Sequence, residues 1–368
     1  MTAVSAAPGP MAWRQNSFQQ VTDYAVGLSD IDRREVVASV RACANSAGAP
    51  ERLRRGDFDF PQFDRRLQAA YDEVRAGRGF ALLRGLPVDA LTCEEFIAAV
   101  WGIGTRFGRA ISQNAQGELI GHVIDASKEE ATPRMFRSNL ELRLHTDWTA
   151  MLSLACWQSA ASGGATYVAS ALTIHDEIKR RAPELLAPLY NGFRYHRLGE
   201  EGEGEEPVSP YRIPVFGFKD GQLSCRYQRA GIAAGHRTAG VPLTDLELKA
   251  LDMFDEVAKA PQNRLAFYLE RGDMLIVNNY TMLHARTGFT EHPEPERRRH
   301  LVRLWLDADG FRDVLPETHL FAVNGVPPQP GRSCTYDFRK LYGDDPRATG
   351  GVPKEELAEV DLAPGGRQ

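Results

Sequence analysis

His145-Thr146-Asp147 and, far downstream, His284 are the residues of this chain best suited to hold a metal. Two imidazoles and one carboxylate can bind a ferrous ion on one face and leave the opposite positions open. In an extended strand, residues two apart point to the same side, so His145 and Asp147 can serve one ion while Thr146 faces away. Alone, a His-x-Asp in a chain with nine histidines is a weak signal. Its weight grows with the basic segment Arg297-Arg298-Arg299-His300-Leu301-Val302-Arg303-Leu304-Trp305. Alternation puts Arg299, Leu301, Arg303 and Trp305 on one side of that segment. Inward arginines are costly to bury unless each meets an anion, and a salt bridge to a core carboxylate is the plainer way to supply one.

A ferrous ion with one carboxylate ligand keeps positive charge and open sites, so it attracts a chelating anion. Arginine, always protonated and able to grip a carboxylate with two parallel hydrogen bonds, can hold that anion's far end. A dicarboxylate with a keto group beside one carboxylate meets both needs, and 2-oxoglutarate is such a molecule.

The elements that must position these residues read as strands around the histidines and helices elsewhere. Capping boxes at Thr92/Glu95 and Thr244/Glu247 start two helices, and apolar spacing predicts another over about 63–74. Strand signals fall at 80–83, 119–124, 166–169, 212–218, 274–277 and 301–306. The expected fold is mainly β with flanking helices (α+β), built on a closed or jelly-roll core. No interdomain linker divides the 368 residues, so a single domain is expected, with 1–20 and 345–368 loosely ordered. The segment 199–207, Gly-Glu-Glu-Gly-Glu-Gly-Glu-Glu-Pro, is too polar and glycine-rich to pack and reads as a solvated loop in preference to an active-site lid.

Composition narrows the partners. A net charge of -5, with acidic residues beside the basic run, is unlike a nucleic-acid footprint. No segment is long and apolar enough to span a bilayer, and the start lacks a secretory pattern. Five scattered cysteines without a CxxC pair argue against a disulfide framework or structural zinc, so a cytoplasmic location is expected.

The chain resembles the taurine dioxygenase-like (TauD/TfdA) family of Fe(II)/2-oxoglutarate-dependent oxygenases. The matching stretches are Glu141-Leu142-Arg143-Leu144-His145-Thr146-Asp147, Gly163-Gly164-Ala165-Thr166, Gly272-Asp273-Met274-Leu275-Ile276-Val277-Asn278-Asn279, His284-Ala285-Arg286-Thr287, and 299–305. The resemblance implies a double-stranded β-helix (cupin-like) core over about 79–310, with His145, Asp147 and His284 as iron ligands and Fe(II), 2-oxoglutarate and O2 as cofactor and cosubstrates. It further implies that Thr166 and Arg299 hold the distal carboxylate of 2-oxoglutarate and that Arg303 faces an acidic group of the substrate; the two arginines could exchange roles. The implied reaction couples oxidation of an unactivated carbon to release of succinate and CO2. Hydroxylation is its default outcome, desaturation or ring closure uses the same site, and halogenation is disfavoured because Asp147 is present.

Two further residues are candidates for substrate contact. Arg143 shares the His145 side of its strand if alternation is regular, with pairing to Glu141 as the alternative. Gln113-Asn114 precede a strand, although Asn114 is equally suited to a turn near Gly117. The expected activity is oxygenation of a small polar, carboxylate-bearing or amino-acid-like molecule. A zinc-bound hydrolase and a non-catalytic small-molecule sensor are the competing readings, and homo-oligomerisation is left open.

Overall fold

The computed structural model describes residues 10–44, 49–127, 134–321, 324–329 and 331. Its strands, in chain order, are β1 (Ala25–Gly27), β2 (Phe80–Arg84), β3 (Arg109–Ala110), β4 (Ile120–Val123), β5 (Leu142–His145), β6 (Met151–Gln158), β7 (Ser162–Gly163), β8 (Thr166–Ser170), β9 (Phe216–Lys219), β10 (Gln222–Cys225), β11 (Arg264–Phe267), β12 (Met274–Asn278), β13 (Met282–Arg286), β14 (Phe289–Thr290) and β15 (His300–Asp307). The helices are α1 (Asp30–Ala44), α2 (Phe63–Arg75), α3 (Cys93–Phe107), α4 (Ala171–Arg181), α5 (Leu186–Asn191), α6 (Arg229–Thr238) and α7 (Asp245–Lys259).

Two sheets carry the architecture. The larger runs β1-β2-β12-β6-β15-β3, with β4 also paired to β15, and the smaller runs β11-β8-β13-β5. Strand alternation divides the larger sheet cleanly between two cores. Ala81, Leu83, Met274, Ile276, Val302, Leu304 and Leu306 pack on α1, α2 and α3, whereas Phe80, Leu82, Leu275, Val277, Leu301 and Trp305 join the smaller sheet. Because both faces of β2 and β12 are covered, these strands read as continuous apolar runs.

Local chemistry places the helices as expected. Thr92 Oγ1 accepts from Glu95 N–H at 3.2 Å and the Glu95 carboxylate accepts from Thr92 N–H at 2.9 Å, which fixes the start of α3. A Cβ at Gly104 would lie 2.5 Å from Leu304 Cδ1, so glycine there leaves the space that the Leu304 side chain occupies between α3 and β15. The capping box of Thr244 and Glu247 opens α7 in the same way.

Three expectations need correction. Within 1–20, the described part, Pro10 to Gln20, is anchored: Trp13 Nε1 donates to Arg78 O at 2.8 Å, and its ring meets Phe18 and Phe80 edge-on at 5.2 and 5.5 Å. Burial of these large rings outweighs the neighbouring prolines; residues 1–9 and 345–368 lie outside the described residues. The strand expected over 212–218 begins only at Phe216, because Pro214 has no N–H to give a ladder and Ile213 makes an isolated bridge to Phe193. The acidic segment also packs. Glu200 is 2% exposed, pairing with Arg134 and accepting from Ala115 N–H, and only 203–206 are fully solvated. A carboxylate that gains two donors can be buried, which composition alone does not reveal.

Candidate active site

The smaller sheet brings the two histidines together. His284 on β13 stands directly opposite His145 on β5, and their ring centroids are 4.3 Å apart. Asp147 follows two residues after β5 ends, with Oδ1 3.5 Å from His145 Nε2 and Oδ2 3.9 Å from His284 Nε2. One ligand atom from each residue lies within 4.8 Å of the others, the sole such group among the described residues. His145 Nδ1–H donates to Arg143 O at 2.7 Å, which directs Nε2 to the shared point.

Protonation suits a cation. Burial pushes the Asp147 carboxyl upward, but the His145 hydrogen bond and the nearby His284 and Arg303 outweigh it and hold Asp147 well below the usual carboxylate range. Burial depresses His284 to about 3, with the His145 ring acting in the same direction, so its imidazole is neutral at physiological pH. An ionised carboxylate and a neutral imidazole are the forms that ligate metal.

The segment behind the motif is braced by residues from outside the triad. Thr146 exchanges hydrogen bonds with Tyr227, N–H to O at 2.8 Å and N–H to Oγ1 at 3.0 Å. The fully buried Arg226 donates through Nη1 to Asp147 O at 2.7 Å and Thr149 O at 3.1 Å. Asn279 Oδ1 accepts from Asp147 N–H at 3.2 Å. Trp305, which the sequence suggests only as an inward residue, donates Nε1–H to Asp147 Oδ2 at 2.9 Å and so orients the carboxylate.

The arginines of the basic segment divide. Arg303 reaches the triad, with Nη1 4.0 Å from Asp147 Oδ2 and Nε donating to Gln113 Oε1 at 2.6 Å. Its guanidinium lies 4.0 Å from the Phe136 ring centroid. Gln113 Nε2 donates to Leu119 O at 2.9 Å and Arg303 O at 3.1 Å, and a Cβ at Gly121 would occupy the amide's place. Arg299 is buried beside the Gly163-Gly164 turn, 4.9 Å over Phe289, with Nη1 lacking a hydrogen-bond partner. Burial lowers both guanidinium groups to about 10, so each remains charged near neutrality. Thr166 begins β8 directly opposite Arg286 on β13.

A cavity of about 110 Å³ opens on His145 and Asp147 of the triad, lined also by Arg303, Trp305, Phe136 and Gln113. Arg134, His196, Arg197, Leu198 and Glu200 line its other side. Leu198 has φ +59°, a left-handed conformation that costs a branched residue energy, and lies beside the buried Glu200. Glu200 belongs to the acidic segment that reads as a solvated loop in the sequence, and no period or motif marks Arg134, Arg197 and Leu198. Thr166 and Arg299 do not line this cavity.

Arg143 and Asn114 depart from expectation. His284 pairs with His145 but Arg286 pairs with Leu142, so β5 carries one extra residue. That bulge puts Leu142, not Arg143, with His145 on the cavity side. Arg143 instead acts on the half-buried Asp255 of α7, helping to offset the upward push of desolvation on that carboxyl. Asn114 closes the turn to Gly117, donating through Nδ2 to Glu118 and accepting from Glu118 N–H at 3.2 Å.

Comparison with known proteins agrees with this geometry. The profile of the taurine catabolism dioxygenase TauD, TfdA family matches residues 39–305. The chain is 30% identical over 310 residues to FR-33289 synthase of Streptomyces rubellomurinus, covering 83% of this chain and 91% of that protein. It is 29% identical over 308 residues to the taurine hydroxylase-like protein SAT17 of Stachybotrys chartarum, covering 80% and 78%. Among solved structures, an asparagine oxygenase in complex with Fe(II), 3-hydroxyasparagine and succinate aligns with a TM-score of 0.62 at 18% identity, covering 77% of this chain and 93% of that one. The non-haem iron oxygenase OrfP, bound to Fe and alpha-ketoglutaric acid, aligns with a TM-score of 0.60 at 14% identity, covering 77% and 94%. The shared architecture is the double-stranded β-helix.

Proposed function

The chain belongs to the taurine catabolism dioxygenase TauD, TfdA family, and on that footing we propose how its own residues carry out an Fe(II)/2-oxoglutarate-dependent oxygenation. His145, Asp147 and His284 hold the iron. The observation that carries this reading is the convergence of their ligand atoms within 4.8 Å, with the His284 imidazole neutral and the Asp147 carboxylate ionised. When bound, iron and 2-oxoglutarate supply with O2 the oxidising power for an unactivated C–H bond, releasing succinate and CO2.

The protein's part is orientation and exclusion. Arg299 and Thr166 hold the distal carboxylate of 2-oxoglutarate, and the buried, unspent Nη1–H of Arg299 supports this, because a solvent-shielded donor without an acceptor is costly. Arg303, fixed by Gln113 and stacked on Phe136, binds an acidic group of the primary substrate next to the metal. Trp305 keeps one oxygen of Asp147 turned toward its own N–H. The loops bearing Arg134, Leu198 and Glu200 line the cavity, which at about 110 Å³ suits a small molecule. A zinc hydrolase would have no use for Arg299.

The substrate we propose is small and polar, carboxylate-bearing or amino-acid-like; the asparagine oxygenase was solved with 3-hydroxyasparagine and OrfP with hydroxylated arginine. A cytoplasmic location is supported by the unpaired thiols of Cys43, Cys93, Cys156 and Cys225. The test is succinate release with Fe(II), 2-oxoglutarate and oxygen across a panel of small molecules with and without a carboxylate or other acidic group, zwitterionic amino acids included. At least one molecule bearing an acidic group should stimulate release, and Arg303→Gln should raise its KM by roughly tenfold or more without changing the KM for 2-oxoglutarate. Stimulation only by molecules that carry no acidic group would overturn the substrate assignment.

A further inference from the structure

The period that pairs His145 with a metal also applies to β13, where Arg286 lies two residues after His284 and therefore leaves the same face. Arg286 is 4% exposed. Its Nη2 donates to Ser138 O at 2.7 Å and Leu140 O at 2.5 Å, which fixes the guanidinium in place. Nε and Nη1 are buried without a hydrogen-bond partner. Arg286 stands opposite Thr166 in the strand register. The Phe289 ring carries the guanidinium carbons of Arg286 and Arg299 at 4.7 and 4.9 Å, so both cations share one aromatic platform.

Nearby carboxylates do not use these donors. Glu291 and Asp125 are the acids whose charge Arg286 feels. Glu291 spends Oε2 on Arg299 N–H at 2.7 Å, and its Oε1 is buried without a partner. Two guanidinium groups that share the Phe289 ring and feel each other's charge, each with unspent N–H groups, form a cradle for an anion that reaches both. An ionised carboxylate has about four lone-pair positions, more than Arg299 and one threonine hydroxyl fill.

We infer that Arg286 is a second arginine of the cosubstrate pocket, donating from Nε or Nη1 to the distal carboxylate that Arg299 and Thr166 also hold. The inference rests on the assignment of Arg299 and Thr166 to 2-oxoglutarate. It makes the distal carboxylate, and not the metal-chelating end, the part of the cosubstrate that Arg286 senses. Arg286 thereby sets the preference for a dicarboxylate over a monocarboxylate 2-oxo acid.

The test titrates the Fe(II)-loaded protein anaerobically with 2-oxoglutarate and with 2-oxopentanoate, which has the same chain length without the distal carboxylate. Binding is read by calorimetry and by the visible band of the chelate. Arg286→Gln should weaken 2-oxoglutarate by roughly 10- to 100-fold and leave 2-oxopentanoate unchanged, with Arg286→Lys in between. Wild-type affinity for 2-oxoglutarate in a folded Arg286→Gln protein would overturn the inference. Equal weakening of both acids would overturn it too, making Arg286 a strut for the 138–140 loop. Should Arg286→Gln not fold, Arg286→Lys carries the same comparison, since it keeps the charge but loses the planar donors. If the wild-type protein binds neither acid, the cosubstrate assignment itself has failed, which is a separate result.

Discussion

β15 buries its two faces equally deeply and for opposite reasons. On the helix side, Val302, Leu304 and Leu306 meet α3 and the first-third helices in a hydrocarbon core. On the other side, Arg303 and Trp305, with Arg299 just before the strand, meet the smaller sheet and the triad. Burial of the first set stabilises the fold; burial of Arg299, whose Nη1 has no partner, costs it free energy until an anion arrives, whereas Arg303 already has Asp147 beside it. The same strand is therefore scaffold on one face and binding site on the other, and a lesion on either face should report which.

The largest expected effect is on the scaffold face. Leu304→Ala removes a fully buried side chain that fills the notch at Gly104, and should lower stability by about 2–5 kcal/mol. Denaturant unfolding measures this, and the metal-loaded protein's affinity for 2-oxoglutarate should not move. A change in affinity without a change in stability would break the division.

Next is the site face, with the opposite sign. Arg299→Met replaces a buried cation by a hydrophobe of similar length and should stabilise the ligand-free protein by about 1–4 kcal/mol, while abolishing the preference for 2-oxoglutarate over a monocarboxylate. Thermal unfolding without ligands, beside ligand titration, tests the pair of outcomes. A destabilised Arg299→Met protein would mean that Arg299 is a structural ion pair.

The smallest effect sharpens the comparison at the strand's start. His300 Nε2 hydrogen-bonds His122 Nδ1 at 2.9 Å, and burial, then the His122 ring, lower His300 to about 4. A histidine lowered from its ordinary value of 6.5 binds its proton more readily in the unfolded chain. Its stability cost is therefore absent above about pH 6.5 and develops as pH falls toward 4. His300→Gln should flatten unfolding midpoints over that window; an unchanged slope would remove His300 from the account.

Much of this was legible from residue order because it depends on period and local caps. The apolar runs of β2 and β12, the alternation around β15 and the capping boxes of α3 and α7 are short-range features, and His145, Asp147 and His284 meet as spacing and motif suggest. What escaped reading depends on neighbours distant in sequence. The single extra residue in β5 turned Arg143 away from the site, a register event no side chain announces. Glu200 is buried because Arg134 and the Ala115 amide reach it, not because of its own segment. Arg286 differs, since counting two from His284 would have found it.

The most direct test of the central claim is an anaerobic titration of the wild-type protein and Asp147→Ala with Fe(II) and then 2-oxoglutarate, followed by visible absorption. The wild-type protein should develop the charge-transfer band of an iron-bound 2-oxo acid and yield succinate on admitting oxygen, and Asp147→Ala should lose the stoichiometric iron binding on which both depend. Tight binding of zinc with no band and no succinate, or a band that survives undiminished in Asp147→Ala, would contradict the assignment of His145, Asp147 and His284 as the iron centre.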